Sequence, residues 1–161
     1  MSQLAEEFER AWGRFRIAFE TGDDEGSLGA LQAWITAWDE CVQAGETGAF
    51  EVAYHDDVEA VAHLRLPGMR DTPNLESLRR ELHDLPDIAS RFRFDVVEFE
   101  RHGDRFMGSG RFRARGRYSG LVMRFPLAVV WTYRDGRISR VEAYGTRRRA
   151  RGELLATPAA V

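Results

Sequence analysis

The pattern of apolar residues changes period at residue 91, from three or four residues to two. Apolar and polar side chains then alternate over four consecutive stretches, which is typical of strands with one buried face. The predicted strands cover residues 91–101, 105–118, 121–133 and 137–147. They are separated by the short turn sequences His102-Gly103-Asp104, Ser119-Gly120 and Arg134-Asp135-Gly136. Turns of this length join antiparallel neighbours, so this half of the chain is predicted to form long antiparallel strands that twist and curl.

Helical spacing dominates the first 90 residues. Helices are predicted at residues 3–20, 27–45, 46–54 and 74–84, with one strand at 58–66 that ends at a turn formed by Pro67-Gly68. Ser27 is the expected N-cap of the second helix, and Pro86 is expected to end the fourth. A run of helices followed by a run of hairpins predicts an α+β fold, in which N-terminal helices pack on a strongly curved antiparallel sheet around an apolar pocket.

A chain of 161 residues fits one domain with a single core. Residues 1–26 are expected to be a helical extension, residues 27–155 the domain and residues 156–161 a flexible tail. The sequence starts without a signal-peptide pattern and has no stretch that could span a bilayer, so we expect a cytoplasmic protein without a membrane partner. Cys41 is the only cysteine, which excludes an internal disulfide, and it is expected to be a buried, inert thiol.

Arginine accumulates on one face of the strand predicted at 105–118. The alternate residues of this strand are Arg111, Arg113, Arg115 and Arg117. Acidic residues of neighbouring strands, Glu98, Glu100 or Glu142, are expected to pair with them. No nucleic-acid-binding motif accompanies the arginines, so nucleic acid is not an expected partner.

Both faces of the strand predicted at 121–133 are apolar. One set consists of Val122, Ala128, Val130 and Thr132, and the other of Leu127, Val129, Trp131 and Tyr133. One set is expected to face the helices and the pocket. The set with the larger side chains would then be exposed, which predicts a homodimer through Leu127, Val129, Trp131 and Tyr133.

The stretch from Pro126 to Ile138, PLAVVWTYRDGRI, continuing to Tyr144, resembles the last two strands of the nuclear transport factor two-like superfamily. This group includes ketosteroid isomerase, the polyketide ester cyclases, limonene epoxide hydrolase and scytalone dehydratase. The segment from Gly45 to Glu59 resembles the link between the superfamily's first long helix and first strand. The resemblance covers about residues 27–155 and implies a cone-shaped scaffold that hosts many unrelated activities.

The resemblance also implies where acid–base residues would stand. The isomerase's oxyanion-hole tyrosine falls on Trp38, its general base at or beside Ala62, and its second aspartate at or beside Ala128. The histidine and aspartate of the cyclases fall near Val129 and Ala143. None of these side chains carries a carboxylate or an imidazole, which predicts a pocket closed to those mechanisms and suited to an apolar ligand.

His63 is the one remaining candidate for a general base, because it neighbours the base position. Adjacent strand residues face opposite ways, so His63 reaches the pocket only if the register differs by one residue. The alternative is a partly exposed strand histidine that pairs with Glu59. The predicted pocket residues are Trp34, Trp38, Tyr54, His63, Phe112, Tyr118, Ala128, Val130, Val141 and Ala143. No metal or cofactor is expected, since the other histidines have no partners at ligand spacing.

Three functions remain open at this point. The first is an isomerase, cyclase or dehydratase that acts on an apolar polyketide- or terpenoid-like substrate. The second is a non-catalytic module that binds an apolar small molecule. The third is a dimeric scaffold with a vestigial pocket.

Overall fold

Within the part of the chain that the structure describes, four α-helices and one five-stranded sheet make up the α+β fold, as predicted. The computed structural model describes residues 2–64 and 70–156. The helices are α1 (Gln3–Glu20), α2 (Asp24–Gln43), α3 (Leu75–Ile88) and α4 (Arg147–Leu155), with a 3₁₀ helix at Gly48–Val52. The strands are β1 (Tyr54–Ala62), β2 (Ala89–His102), β3 (Arg105–Gly116), β4 (Val122–Arg134) and β5 (Arg137–Tyr144).

The sheet has the order β1-β5-β4-β3-β2 and does not close into a barrel. Strands β2 to β5 form the predicted antiparallel meander. β1, however, pairs with β5 in parallel, so the prediction of a wholly antiparallel sheet is wrong at this edge. The strands β1 and β5 are not joined by a hairpin, and local turn chemistry therefore carries no information on their relative direction.

Two helix ends differ from the prediction. α2 is capped by Asp23, whose Oδ1 accepts from the Gly26 amide at 2.9 Å. Ser27 therefore lies inside the first turn, where its buried hydroxyl donates to the Asp23 carbonyl. α3 continues through Pro86 to Ile88. A proline that close to the helix end removes only one late hydrogen bond, and the Ala89 amide still bonds the Leu85 carbonyl.

Other boundaries also shift. The helix predicted at 46–54 is a short 3₁₀ helix, and Tyr54 already begins β1. The predicted end of the first strand and the turn at Pro67-Gly68 lie outside the described residues. β5 ends at Tyr144 rather than at residue 147, because Thr146 caps a further helix, α4, through its bond from the Arg149 amide at 3.2 Å.

Helices α1 and α2 cover one face of the sheet, which we call the inner face, and α4 covers part of the other, the outer face. Trp34 of α2 is fully buried at the centre of the inner core. Its ring lies 4.8 Å from that of Trp12 in α1 and 6.2 Å from that of Trp131 in β4. The predicted helical extension therefore contributes to the same core as the sheet.

The residues of the predicted dimer interface lie on this inner face. Val129 and Trp131 are buried, and Leu127 and Tyr133 are packed against the same core. Tyr133 contacts Trp12 and Phe19 of α1, and its phenol donates to Glu20. Residues of the same chain thus cover Val129 and Trp131, whereas Leu127 and Tyr133 remain partly exposed, and a homodimer through this face stays a prediction.

Side chains of α2 bond the free edge of β2. Gln32 accepts from the Val96 amide at 2.6 Å and donates to the Phe94 carbonyl at 3.1 Å. Gln43 donates to the Phe92 carbonyl at 3.2 Å. The backbone of this edge strand is therefore satisfied by a helix instead of by another strand.

Candidate functional site

The inner face is tightly covered at one end and partly open at the other. Near the β4–β5 turn, the aromatic side chains of α1 pack on it. Towards the opposite end of the sheet, inner-facing apolar side chains pack against the core but remain partly exposed. They are Trp38, Phe112, Leu127, Val141 and Ala143. We call this group the inner cleft.

The register of the sheet brings the cleft residues together across four strands. Ala62 of β1 stands beside Ala143 of β5, which in turn stands opposite Val129 of β4. On the other side, Leu127 stands opposite Gly110 of β3. Ala62 and Ala143 are thus small side chains at neighbouring positions, whereas the backbone of Asp95 and Val96 fills the space beside Gly110.

Positions that carry acids or bases in the resembling enzymes do face this cleft. Ala62, Val129 and Ala143 all point to the inner side of the sheet, and Trp38 approaches it from α2. None of these side chains can take up or release a proton. The apolar pocket wall stays a prediction, although Ala62, Val129 and Ala143 share the inner face.

Tyr54 supplies a polar atom at the edge of the cleft. It is buried at the start of β1, and its ring packs on Trp34 and Phe50. Burial raises the pKa of its phenol well above the ordinary value, although the nearby Trp38 side chain offsets part of this effect. The phenol therefore stays protonated at neutral pH and can offer a hydrogen bond rather than act as a base.

His63 lies on the outer face, opposite the cleft. Its amide bonds the Ala143 carbonyl, but its imidazole Nε2 lies 3.2 Å from Glu142 Oε2 and its ring stacks on Tyr144 at 4.4 Å. The predicted role as a general base in the pocket is thus wrong, because side chains alternate along β1 and Ala62 takes the inner side. Its predicted partner Glu59 is bound instead to Arg140.

Glu142 is the centre of a polar cluster on the outer face. The acid is 6% exposed and accepts hydrogen bonds from Arg140 Nε at 2.8 Å and from the Tyr144 phenol at 2.8 Å, besides the His63 contact. Burial alone would raise the pKa of its carboxyl, but these donors outweigh it and hold that pKa below the usual range. The sequence gives no direct sign of this cluster, since β1 and β5 are far apart along the chain.

Other predicted pocket residues lie elsewhere. Ala128 and Val130 belong to the outer face, where α4 covers them. Tyr118 is 89% exposed in the β3–β4 turn. Trp34 is enclosed in the core. Phe112, in contrast, is part of the inner cleft, where its ring packs at a tilt against Phe125 at 5.1 Å. Because both alternating sets of β4 are apolar, either set could face inwards. The prediction that the set with Ala128 and Val130 faces the pocket is therefore wrong.

Asp39 is a buried acid that the sequence analysis did not identify. It is 5% exposed, and its Oδ2 accepts from the Phe94 amide at 3.3 Å. Burial raises the pKa of its carboxyl to about 7, and the Phe94 amide offsets only part of that effect. An aspartate within the apolar stretch Trp34–Val42 was the signal that could have revealed it.

Cys41 is buried, as predicted, and burial raises the pKa of its thiol to about 11. The described residues contain no group of three histidine, cysteine or acidic side chains that could hold a metal ion. Nor does any helix within the described ranges combine the length and apolar character needed to cross a membrane.

Comparison with known proteins identifies the fold independently. A sequence model of the SnoaL-like domain matches residues 31–141. An NTF2-like protein from Burkholderia thailandensis superposes with a TM-score of 0.58 at 17% identity, over 74% of this chain and 92% of that one. A Catenulispora acidiphila protein with a ketosteroid isomerase-like fold, in complex with trimethylamine, gives 0.58 at 16% identity, over 77% and 96%.

A third structure, from Mesorhizobium loti, is described as a SnoaL-like polyketide cyclase. It superposes with a TM-score of 0.53 at 20% identity, over 68% of this chain and 94% of that one. The comparison with curated proteins gave no match. These identities are low, so the structural similarities establish the fold and leave the activity to be argued from the site.

Proposed function

Since the chain belongs to the SnoaL-like domain family, whose members share a fold with polyketide cyclases and ketosteroid isomerases, we propose that it binds an apolar small molecule in the inner cleft. The observation that carries this proposal is the partial exposure of inward-facing apolar residues, Phe112, Leu127, Val141 and Ala143, beside a covered core. Burial of this partly exposed apolar surface under a ligand is favourable, because water is displaced from it.

We propose binding rather than acid–base catalysis for this cleft. Ala62, Val129 and Ala143 occupy the inner face where a proton-transferring group would be needed, and His63 points away. The Tyr54 phenol and the Trp38 indole are the polar groups beside the apolar wall. They suit a ligand that is a largely apolar, polycyclic or polyketide-like molecule with one oxygen acceptor.

The proposal is tested with a neutral fluorescent probe, N-phenyl-1-naphthylamine, together with native mass spectrometry of the purified protein. Ala143→Trp covers the apolar surface of the inner cleft and is expected to weaken probe binding by about tenfold or more. Ile17→Trp is the matched control, because Ile17 is 65% exposed and lies outside the inner core. Equal probe affinity in both variants, with unchanged melting temperatures, would show that the cleft is not the binding site.

A further inference from the structure

Three arginines stand directly opposite one another on the outer face. Arg93 of β2 pairs in register with Arg113 of β3, which pairs with Arg124 of β4. Like charges at such directly opposed positions destabilise a sheet. Asp95 relieves part of this repulsion, since its carboxylate accepts from Arg93 Nε at 2.7 Å and lies 3.3 Å from Arg113 Nη2. Arg124 forms no ion pair with any residue in the described ranges.

The acids that the sequence assigned to this arginine stripe are bound elsewhere. Glu98 pairs with Arg147 at 2.7 Å, and Glu100 pairs with Arg151 at 3.1 Å, both through the arginines of α4. Glu142 is occupied by Arg140. The structure therefore leaves positive charge on β3 and β4 that the expected cross-strand partners do not neutralise.

These arginines border a groove of about 690 Å³. Its charged lining consists of four arginines and two acids, Arg111, Arg113, Arg124, Arg147, Asp95 and Glu98. Two positive charges thus remain uncompensated in the groove. Between the charged groups lie apolar surfaces of Val97 and Pro126, together with Ser109, so the groove offers hydrophobic contact beside the guanidinium groups.

We propose that this groove binds a small organic phosphate. A phosphomonoester carries a charge of about −1.5 to −2 at pH 7, which matches the two uncompensated arginine charges. Planar guanidinium groups bind phosphate oxygens in a bidentate manner, and an organic group attached to the phosphate can lie on Val97 and Pro126. The guanidinium groups of this site lie on the outer face, although Leu127 lines both this groove and the inner cleft, and the site does not depend on the ligand of that cleft.

The same groove is poorly suited to a nucleic-acid backbone. Asp95 and Glu98 stand within it and would repel the further phosphates of a polyanion. The uncompensated charge is sufficient for one phosphate group, whereas a nucleic-acid-binding surface neutralises many phosphates in succession.

The test is isothermal titration calorimetry with phenyl phosphate as the probe and benzyl alcohol as its uncharged counterpart. Phenyl phosphate is expected to bind and benzyl alcohol is not. Arg124→Gln should weaken phenyl phosphate binding by about tenfold or more, since it removes a charge-assisted contact. Arg137→Gln, a change at an exposed arginine outside the groove, should alter the affinity by less than about twofold.

A second readout separates ligand binding from a structural role. Without ligand, Arg124→Gln should melt at the same temperature as the wild type or higher, because the substitution removes a like-charge contact with Arg113. The proposal is overturned if both variants lose phenyl phosphate binding equally or if benzyl alcohol binds as well as phenyl phosphate. It is also overturned if a single-stranded oligonucleotide binds more tightly than phenyl phosphate with a steep salt dependence.

Discussion

The phenol of Tyr144 donates a hydrogen bond of 2.8 Å to the buried carboxylate of Glu142. Both residues lie on the outer side of β5, two positions apart, and the same Glu142 oxygen also faces His63, the residue that follows β1. Because Arg140 bonds the other oxygen, three side chains contact the acid, two from β5 and one from the end of β1. This cluster thus fixes the edge strand β1 to the rest of the sheet.

Tyr144→Phe should lower the free energy of unfolding by about 1.5–3 kcal/mol at neutral pH, because a buried carboxylate loses a donor. The folded-state pKa of Glu142 is lowered, so this stabilisation is present above the unfolded pKa of about 4.3 and is lost as the pH falls through the folded value. Urea denaturation should therefore show a difference from wild type that shrinks in acid. Tyr118→Phe, at an exposed tyrosine, should show no difference at any pH.

Asp39→Asn should change how stability depends on pH. Burial raises the folded-state pKa of Asp39 to about 7, so folding takes up a proton between the unfolded value and that pH. The wild type should accordingly lose stability as the pH rises through this window, with a slope of at most roughly 1.4 kcal/mol per pH unit. An asparagine can still accept from the Phe94 amide, so the variant should lack this slope and be more stable at alkaline pH.

The control for Asp39 is Glu25→Gln, which changes an exposed acid on the same helix and should keep the wild-type slope. Chemical denaturation at several pH values gives the comparison directly. A slope that persists in Asp39→Asn would mean that another group takes up the proton.

Phe15→Ala should cost about 3–5 kcal/mol, the usual effect of removing a buried phenylalanine. Phe15 is completely buried, and its ring lies 4.8 Å from that of Phe106 in β3. Ile17→Ala, two residues away on the exposed side of α1, should stay within about 0.5 kcal/mol of the wild type. If both substitutions were equally mild, α1 would be a detachable extension rather than a part of the core.

Ala62, the last residue of β1, and His63, which follows it, provide a test of which face binds the ligand. Ala62→Phe projects into the inner cleft and should weaken N-phenyl-1-naphthylamine binding by about tenfold. His63→Ala changes the outer face and should leave probe affinity unchanged while altering stability by about 1 kcal/mol or less. Probe binding that depends on His63 and not on Ala62 would reverse the assignment of the two faces.

The sequence predicted the helices α1 and α2 and the four-stranded meander because each has a clear hydrophobic period and identifiable turn residues. It did not predict α4. The arginines of its first turn conceal the spacing of Ala150 and Leu154, which are the two buried residues of the helix. The elements with a clear hydrophobic period were thus predicted correctly. α4 lacks such a period, and its formation depends on tertiary packing of its two buried residues.

The candidate site was harder to predict for a different reason. Both alternating sets of β4 are apolar, so periodicity could not show which set faces the helices. That choice depends on Trp12, Phe15 and Phe19 of α1, which pack on the set containing Trp131. The contact between His63 and Glu142 likewise depends on the parallel pairing of β1 with β5, which the sequence does not encode locally.

The hydrogen bonds from α2 to the free edge of β2 affect how this protein meets other molecules. An unpaired edge strand can act as a template for strand addition, which is the first step towards domain swapping and fibril growth. Gln32, Asp39 and Gln43 already occupy the donors and acceptors that an incoming strand would need at Phe92, Phe94 and Val96. At the other edge, Thr72 is bridged to Ala60 of β1. The chain can therefore carry long, apolar β-strands and still resist intermolecular sheet growth at these positions.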